Sequence, residues 1–356
     1  MSSLASVPLS IADARAAFAG GRGYLAACTV GLPPRATVRA VTADLEAAAG
    51  GAPDLTAYSA AVEHTRALFA ELVHIAPGRV AIGSQASVSA ALVAGALPDG
   101  SEVLVPEGEF SSIVLPFVHA GRGIRVRTAP LADLADHVSS ETRLIAFSIV
   151  QSATGDVADA DAIAAAAARH GALTLCDATQ AVGWLPVRAS RFDAVICHAY
   201  KWLCAPRGVS FLTVSDRLLR EMPARLAGWY AGEDPWASCY GGDGRLAGDA
   251  RRFDVSPAWQ AFVGAAPALK LFASLDRDAL RDHATGLAAA FRSGARIAEP
   301  VRASAIVTWT DPGGADLARL TSAGMVASGR AGRARVAFHV FNDESDVESA
   351  LAALGR

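Results

Sequence analysis

The sequence predicts an α/β fold, with a large domain on a mostly parallel central sheet and a small C-terminal α+β domain. Three observations predict it. Strand-like and helical runs alternate from about Arg79 to Val214, the rhythm of β-α-β units. The strand-like runs are continuously apolar rather than alternating, which indicates a sheet covered on both faces. Beyond Val214 the rhythm breaks in a Gly/Trp/Tyr-rich stretch, 228–248, and resumes with helices, so the domain change is placed there. The expected division is a large domain over 20–245 and a small domain combining 1–19 with 246–356.

The elements follow in order. Short apolar or β-branched runs predict strands at 79–82, 102–105, 124–127, 144–150, 173–176, 194–197 and 210–214. Helices are expected between them at 87–97, 111–120 and 159–170, the first and last alanine-rich. After the break, helices are expected at 259–275 and 278–291, then strands at 305–310 and 335–340 and a closing helix at 345–354. In sheets of this kind ligands sit at the carboxyl ends of the strands.

Composition narrows the function. With 356 residues, 52% hydrophobic and 19% charged, the chain can bury a large core and form two domains in one globular unit. A net charge of −3 and the absence of Lys/Arg blocks argue against nucleic acid as a partner. The mean hydropathy of +0.30 comes from scattered alanine, and no apolar run reaches the roughly 20 residues that span a bilayer. Asp13 and Arg15 interrupt what would be the apolar core of a signal peptide, so a cytoplasmic protein is expected. The five cysteines, Cys28, Cys176, Cys197, Cys204 and Cys239, include no Cys-x-x-Cys pair, which argues against a disulfide framework and a zinc ribbon. No metal is expected.

The chemistry concentrates in residues 173–212, LTLCDATQAVGWLPVRASRFDAVICHAYKWLCAPRGVSFL. Asp177 ends one predicted strand and Lys201 follows the end of the next. An acid and an amine at neighbouring strand tips can face one crevice. Pyridoxal 5'-phosphate needs that pair: a carboxylate keeps the ring nitrogen protonated, and an amine forms the Schiff base. Gln180, three residues beyond Asp177, would reach the ring hydroxyl. Taken singly, Asp177 reads as a helix cap and Lys201 as a surface residue with its stem packed on Trp202. Their joint occurrence before a Pro206-Arg207-Gly208 turn points to function.

The run Asp177-Ala178-Thr179-Gln180-Ala181-Val182-Gly183 with Tyr200-Lys201-Trp202-Leu203 resembles the class V aminotransferase and cysteine desulfurase family. These are fold-type I pyridoxal-phosphate-dependent enzymes, and they include kynureninases and C–S lyases. The resemblance extends over nearly the whole chain. It implies that Ser84 and Gln85, between a strand and a helix, bind the cofactor phosphate with His198 and Tyr200, as a helix N-terminus favours. It implies that Phe110 stacks on the ring and that Ser152 stands where desulfurases carry Asn. Arg335, in Arg335-Val336-Ala337-Phe338-His339-Val340-Phe341-Asn342, would receive the substrate carboxylate; the alternative is a strand arginine paired with Asp343 or Glu344. Ser256 falls where relatives reach the phosphate of a neighbouring subunit, which implies a homodimer with sites at the interface.

An α-amino acid substrate follows from the same resemblance. Persulfide-forming desulfurases need a cysteine on a C-terminal loop, and no cysteine follows Cys239, so that activity is not expected. The Asp-Ala-Thr-Gln and Tyr-Lys pattern favours a β-lyase acting on a C–S or related bond, with transamination as the alternative. A non-catalytic regulator is a further reading; the stretch before Tyr24 leaves no room for the DNA-binding helix-turn-helix such a protein carries. A nucleotide-binding dehydrogenase would rest on Gly20-Gly21-Arg22-Gly23, which lacks the preceding strand and the required spacing. Specificity is expected near Thr29, Trp229, Tyr240 and Trp259.

Overall fold

A computed structural model describes residues 8–356. Its centre is a seven-stranded sheet of β1 (Val80–Gly83), β2 (Glu102–Pro106), β3 (Arg125–Ala129), β4 (Thr142–Ser148), β5 (Leu173–Asp177), β6 (Ala194–His198) and β7 (Ser210–Val214), in the order β1-β7-β6-β5-β4-β2-β3. Strands β2 to β6 run parallel. β7 is antiparallel to both β6 and β1. Every predicted strand of this domain is present, with ends displaced by at most a few residues.

The continuous apolar runs have the expected cause. Along β2, Val103 and Val105 join one core while Leu104 joins the other. Along β5 the same split separates Leu173 and Leu175 from Cys176. Both faces of the sheet are therefore buried, and alternate residues feed opposite cores. The edge strand β3 is different, with Arg125 and Arg127 partly or fully exposed, as suits an unpaired edge.

Helices α1 (Ile11–Ala16), α2 (Arg35–Ala49) and α3 (Leu55–Leu72) precede the sheet. None of the three was expected from the sequence, where alanine and scattered polar residues blur the helical period. Asp54 nonetheless caps α3 by accepting from Ala57 N–H at 2.9 Å. Helices α4 (Ala86–Ala96), α5 (Ser111–Val118), α6 (Ala160–His170) and α7 (Asp216–Glu221) connect the strands. Asp159 caps α6, and Gly171 closes it in the left-handed region at φ 69°.

Past the irregular 228–248 segment come α8 (Trp259–Ala273) and α9 (Arg277–Ala295). α8 lies along α2 and α3. The remainder is β8 (Ile306–Thr310), α10 (Ala315–Ser322), β9 (Ser328–Arg330), β10 (Arg333–Ala337) and α11 (Glu344–Leu354). β8, β10 and β9 form an antiparallel three-stranded sheet. Its core is separate, gathering Leu25 with residues from Leu287 onward. Among the described residues no helix is long and apolar enough to cross a membrane.

Candidate active site

Three parallel strands end side by side. Ser148, Asp177 and His198 are the last residues of β4, β5 and β6, and Ser148 lies opposite Asp177 in register. A cavity of about 230 Å³ opens beyond these tips, lined by Asp177, Gln180, His198, Tyr200 and Lys201 from the signature segment, with Phe110 and Ser152 from the neighbouring connections. A larger groove of about 530 Å³, between His74, Arg188 and Arg277, contains neither of the chain's lysines.

Lys201 is 7% exposed. Burial pulls its ammonium down to about 8, against the opposing pull of Asp177 and with help from the nearby Arg335 and Arg330 charges. No ion pair joins it to a carboxylate among the described residues. Its Nζ stands 5.5 Å from the Phe110 ring centroid. A surface lysine packed on Trp202 is thereby excluded. The sequence holds a further signal: of 32 Lys and Arg residues only Lys201 and Lys270 are lysines, and Lys270 is exposed on α8. A chain that uses arginine for nearly all of its cations keeps an amine at this buried point.

Asp177 is buried, and that burial raises its carboxyl above the usual range. Oδ1 accepts from Thr179 N–H at 2.8 Å. That is the bond of a cap, yet residues 178–183 form turns rather than a helix. Beyond Thr179, whose hydroxyl also bears on the carboxylate and lowers its pKa, no described residue donates to it. Thr179 ties two strand ends together, since its Oγ1 accepts from His198 N–H at 3.0 Å.

Gln180 lines the same wall with its amide already oriented. Oε1 accepts from Trp202 Nε1–H at 2.8 Å, and Nε2 donates to the Cys28 carbonyl at 2.9 Å. One Nε2 hydrogen is left over. His198 is 8% exposed, and burial first, then Arg207 and Lys201, push its pKa down to about 4, so the imidazole is neutral. Its Nδ1 has no hydrogen-bond partner among the described residues. Tyr200 stacks edge-on against it at 4.4 Å and carries the Arg207 guanidinium 4.4 Å from its ring centroid.

Gln85 is the residue before α4, and it makes no side-chain cap bond. The first N–H groups of that helix, at Ala86 and Ser87, belong to residues lining the cavity, and they are the free donors that an anion can use. Ser84 does not line the cavity, whereas Ser87 does. Glu109 anchors the Phe110 loop: its carboxylate accepts from Ser148 N–H at 2.7 Å and Ser148 Oγ–H at 2.6 Å. Burial raises the Glu109 pKa.

Arg335, on β10, is 2% exposed. Nε donates to Ser328 Oγ at 3.1 Å, one terminal nitrogen to Thr29 Oγ1 at 2.8 Å, and the other to the Ser152 carbonyl. No carboxylate pairs with it among the described residues. Asp343 pairs with Arg15 instead, at 2.9 Å, so the surface-pair alternative for Arg335 does not hold. Ser256 is exposed and stands outside the cavity. Of the suggested specificity residues, Thr29 touches Arg335, Tyr240 is 95% exposed, and Trp229 packs against Trp236. Trp259 stacks on Tyr58 at 5.1 Å. Arg207 and Glu109 were not singled out as site residues, because a turn arginine and a loop glutamate carry no distinguishing local pattern.

A buried amine without a counter-ion, a carboxylate bonded by Thr179 alone and a flat aromatic ring between neighbouring walls fit pyridoxal 5'-phosphate. Residues 38–306 match the family model for aminotransferase class-V, and the chain belongs to that family. Its members are pyridoxal-phosphate enzymes, and that cofactor is this chain's.

Particular relatives refine the picture. The chain is 30% identical over 232 residues to an uncharacterized aminotransferase, YcbU, of Bacillus subtilis, covering 62% of this chain and 61% of that protein. To the kynureninase of Deinococcus radiodurans it is 29% identical over 252 residues, covering 67% and 60%. The matches thus span about three fifths of these relatives' own length. Among solved structures, the cystine C–S lyase C-DES in complex with cysteine persulfide aligns with a TM-score of 0.84 at 22% identity, covering 94% of this chain and 97% of that one. The cysteine desulfurase CsdA of Escherichia coli gives 0.84 at 20%, covering 98% of each. These likenesses establish the fold.

Proposed function

We propose that this enzyme acts on an α-amino acid by β-lyase chemistry, eliminating a sulfur-containing or related group from Cβ, with Lys201 as anchor of the cofactor and proton carrier. The observation that carries the reading is the buried, unpaired Lys201 facing Asp177 across one cavity. When bound, pyridoxal phosphate supplies an electron sink for the pair left on Cα.

The remaining work belongs to this chain. Asp177 would hold the ring nitrogen; its burial makes a bare carboxylate costly, so a cation placed there would be strongly held. Gln180 offers its spare N–H toward the ring hydroxyl. Phe110 would stack on one face of the ring. The α4 N-terminus, with Gln85, Ser87, His198 and Tyr200, surrounds the phosphate, and the Arg207 guanidinium adds positive charge. Ser84 supports that turn from outside the cavity. Arg335 keeps its buried fork for the substrate carboxylate, exchanging Ser152 or Thr29 bonds for charge-assisted ones. Lys201 would anchor the cofactor and, with an amine whose pKa burial lowers toward the neutral range, would take the proton from Cα as general base.

Two further statements belong to this reading. Persulfide formation on the protein is disfavoured, since no cysteine follows Cys239. A homodimer is supported by an apolar surface with Val30 at 41% and Val38 at 51% exposure beside Tyr200 and Arg207, with the exposed Ser256 serving the neighbouring phosphate. Transamination is the second reading, supported by the likeness to YcbU. Incubation with L-cysteine, L-cystine and L-kynurenine separates them. Release of pyruvate with sulfide or persulfide, independent of added oxo acid, is expected; amino transfer strictly dependent on an oxo acid would contradict the lyase reading.

A further inference from the structure

The lysine-bearing turn is held from outside the cavity by one imidazole. His339 follows β10, in the small antiparallel sheet's part of the chain, and is fully buried. Its Nε2 lies 2.8 Å from the carbonyl oxygen of Trp202, the residue after Lys201. A carbonyl only accepts, so Nε2 carries the hydrogen and Nδ1 is the bare nitrogen. Nδ1 has no partner among the described residues. The ring is stacked on Phe272 at 5.3 Å and 6° and meets Trp202 and Phe341 edge-on. A histidine whose second nitrogen is left unsatisfied in an aromatic cage is costly, and the one thing it supplies is the N–H on Trp202.

The backbone it grips is tightly enclosed. A Cβ on Gly31 would meet Lys201 O at 1.9 Å, and one on Gly183 would meet Trp202 O at 2.4 Å. Gly31 N–H donates to Tyr200 O at 2.8 Å. Cys204, closing the turn, has φ 53°, an unfavourable region for a non-glycine residue. The Trp202 indole in turn fixes the Gln180 amide. One donor therefore bears on both the lysine and the glutamine of the site.

The geometry points to His339 as a positioning residue: its Nε2–H, bonded to the Trp202 carbonyl, holds the 199–205 turn so that the Lys201 amine stays in its dry place in the cavity. This rests on the reading of Lys201 as the reactive amine, and its test does not require the cofactor to be bound there.

The full-length chain, freed of cofactor with hydroxylamine, is reductively methylated with formaldehyde and cyanoborohydride across pH. Methylation at each lysine is followed by peptide mass spectrometry. Lys270 is the internal reference. The wild-type midpoint at Lys201 is expected near 8. His339→Gln, which reaches with an N–H, keeps it. His339→Asn, too short, and His339→Met, with no donor, raise it by about one unit as water reaches the amine. Folded Asn and Met variants with the wild-type midpoint would overturn the inference. If Met does not fold, equal midpoints for Asn and Gln overturn it, and so does a glutamine variant that cannot fold. Whether Lys201 binds the cofactor is read separately, by borohydride labelling, so the two failures are distinguishable.

Discussion

Lys201 titrates near 8 because its buried ammonium loses hydration that Asp177 does not fully replace. In the unfolded chain it titrates near 10.5, so below about 8 both states hold the proton and the penalty on folding is complete. Between about 8 and 10.5 the unfolded state alone binds it, and stability rises with pH. Lys201→Met in the cofactor-free protein is therefore expected to be more stable than wild type by roughly 2–3 kcal/mol at pH 7. Urea unfolding at pH 7 and pH 10 checks this, the difference shrinking at the higher pH. Arg335 yields a second expectation. On its proposed role, replacing it with Ala removes a charge-assisted fork, worth about 1.5–3 kcal/mol per bond to a charged group. kcat/KM should fall by about 10- to 1000-fold through KM, as steady-state kinetics will show. His339, neutral and held down to about 3, binds its proton in the unfolded state first. Its contribution to stability is lost as pH falls from about 6.5 toward 3, and the acid side of the stability curve should flatten in His339→Gln when followed by urea unfolding.

At the scale of elements, the turns around the lysine depend on close backbone approach. Gly183 has φ +115°, and any Cβ there would strike the Trp202 carbonyl. Gly183→Ala is expected to cost about 2–4 kcal/mol, from strain and overpacking together, as a lowered urea midpoint. The segment that carries Ser256 is pinned by a buried pair. Asp254 accepts from Arg66 at 2.7 Å and from Ile82 N–H at 2.8 Å. Asp254→Ala leaves the buried Arg66 paired only with the exposed Glu63 and should cost about 3–5 kcal/mol. The strands were legible because burial on both faces writes itself as unbroken apolar runs, as in AVIC at β6. α2 and α3 were not: in α2 only Thr37 is buried, while the larger apolar residues Val38 and Leu45 are exposed and mask the buried face. β9 is three residues long and includes a glycine, too short to leave a pattern.

For the molecule as a whole, the site was legible where one residue type is required by the chemistry, and obscure where any donor would do. Asp177 and Lys201 each lie at the tip of a strand that the sequence reveals, so topology alone brings them together. The Gln180 amide illustrates the opposite case, because its orientation depends on Trp202 and Cys28, which are distant in sequence. Arg335 reaches the site from the second sheet through Ser152 and Thr29, a junction that no local pattern announces.

The most direct measurement is borohydride reduction of the protein purified with its cofactor, followed by peptide mass spectrometry. With only two lysines in the chain, the outcome is unambiguous. A pyridoxyl adduct on Lys201, absent from Lys270 and lost in Lys201→Ala, is expected. An adduct on Lys270, or a coloured and active Lys201→Ala variant, would contradict the account.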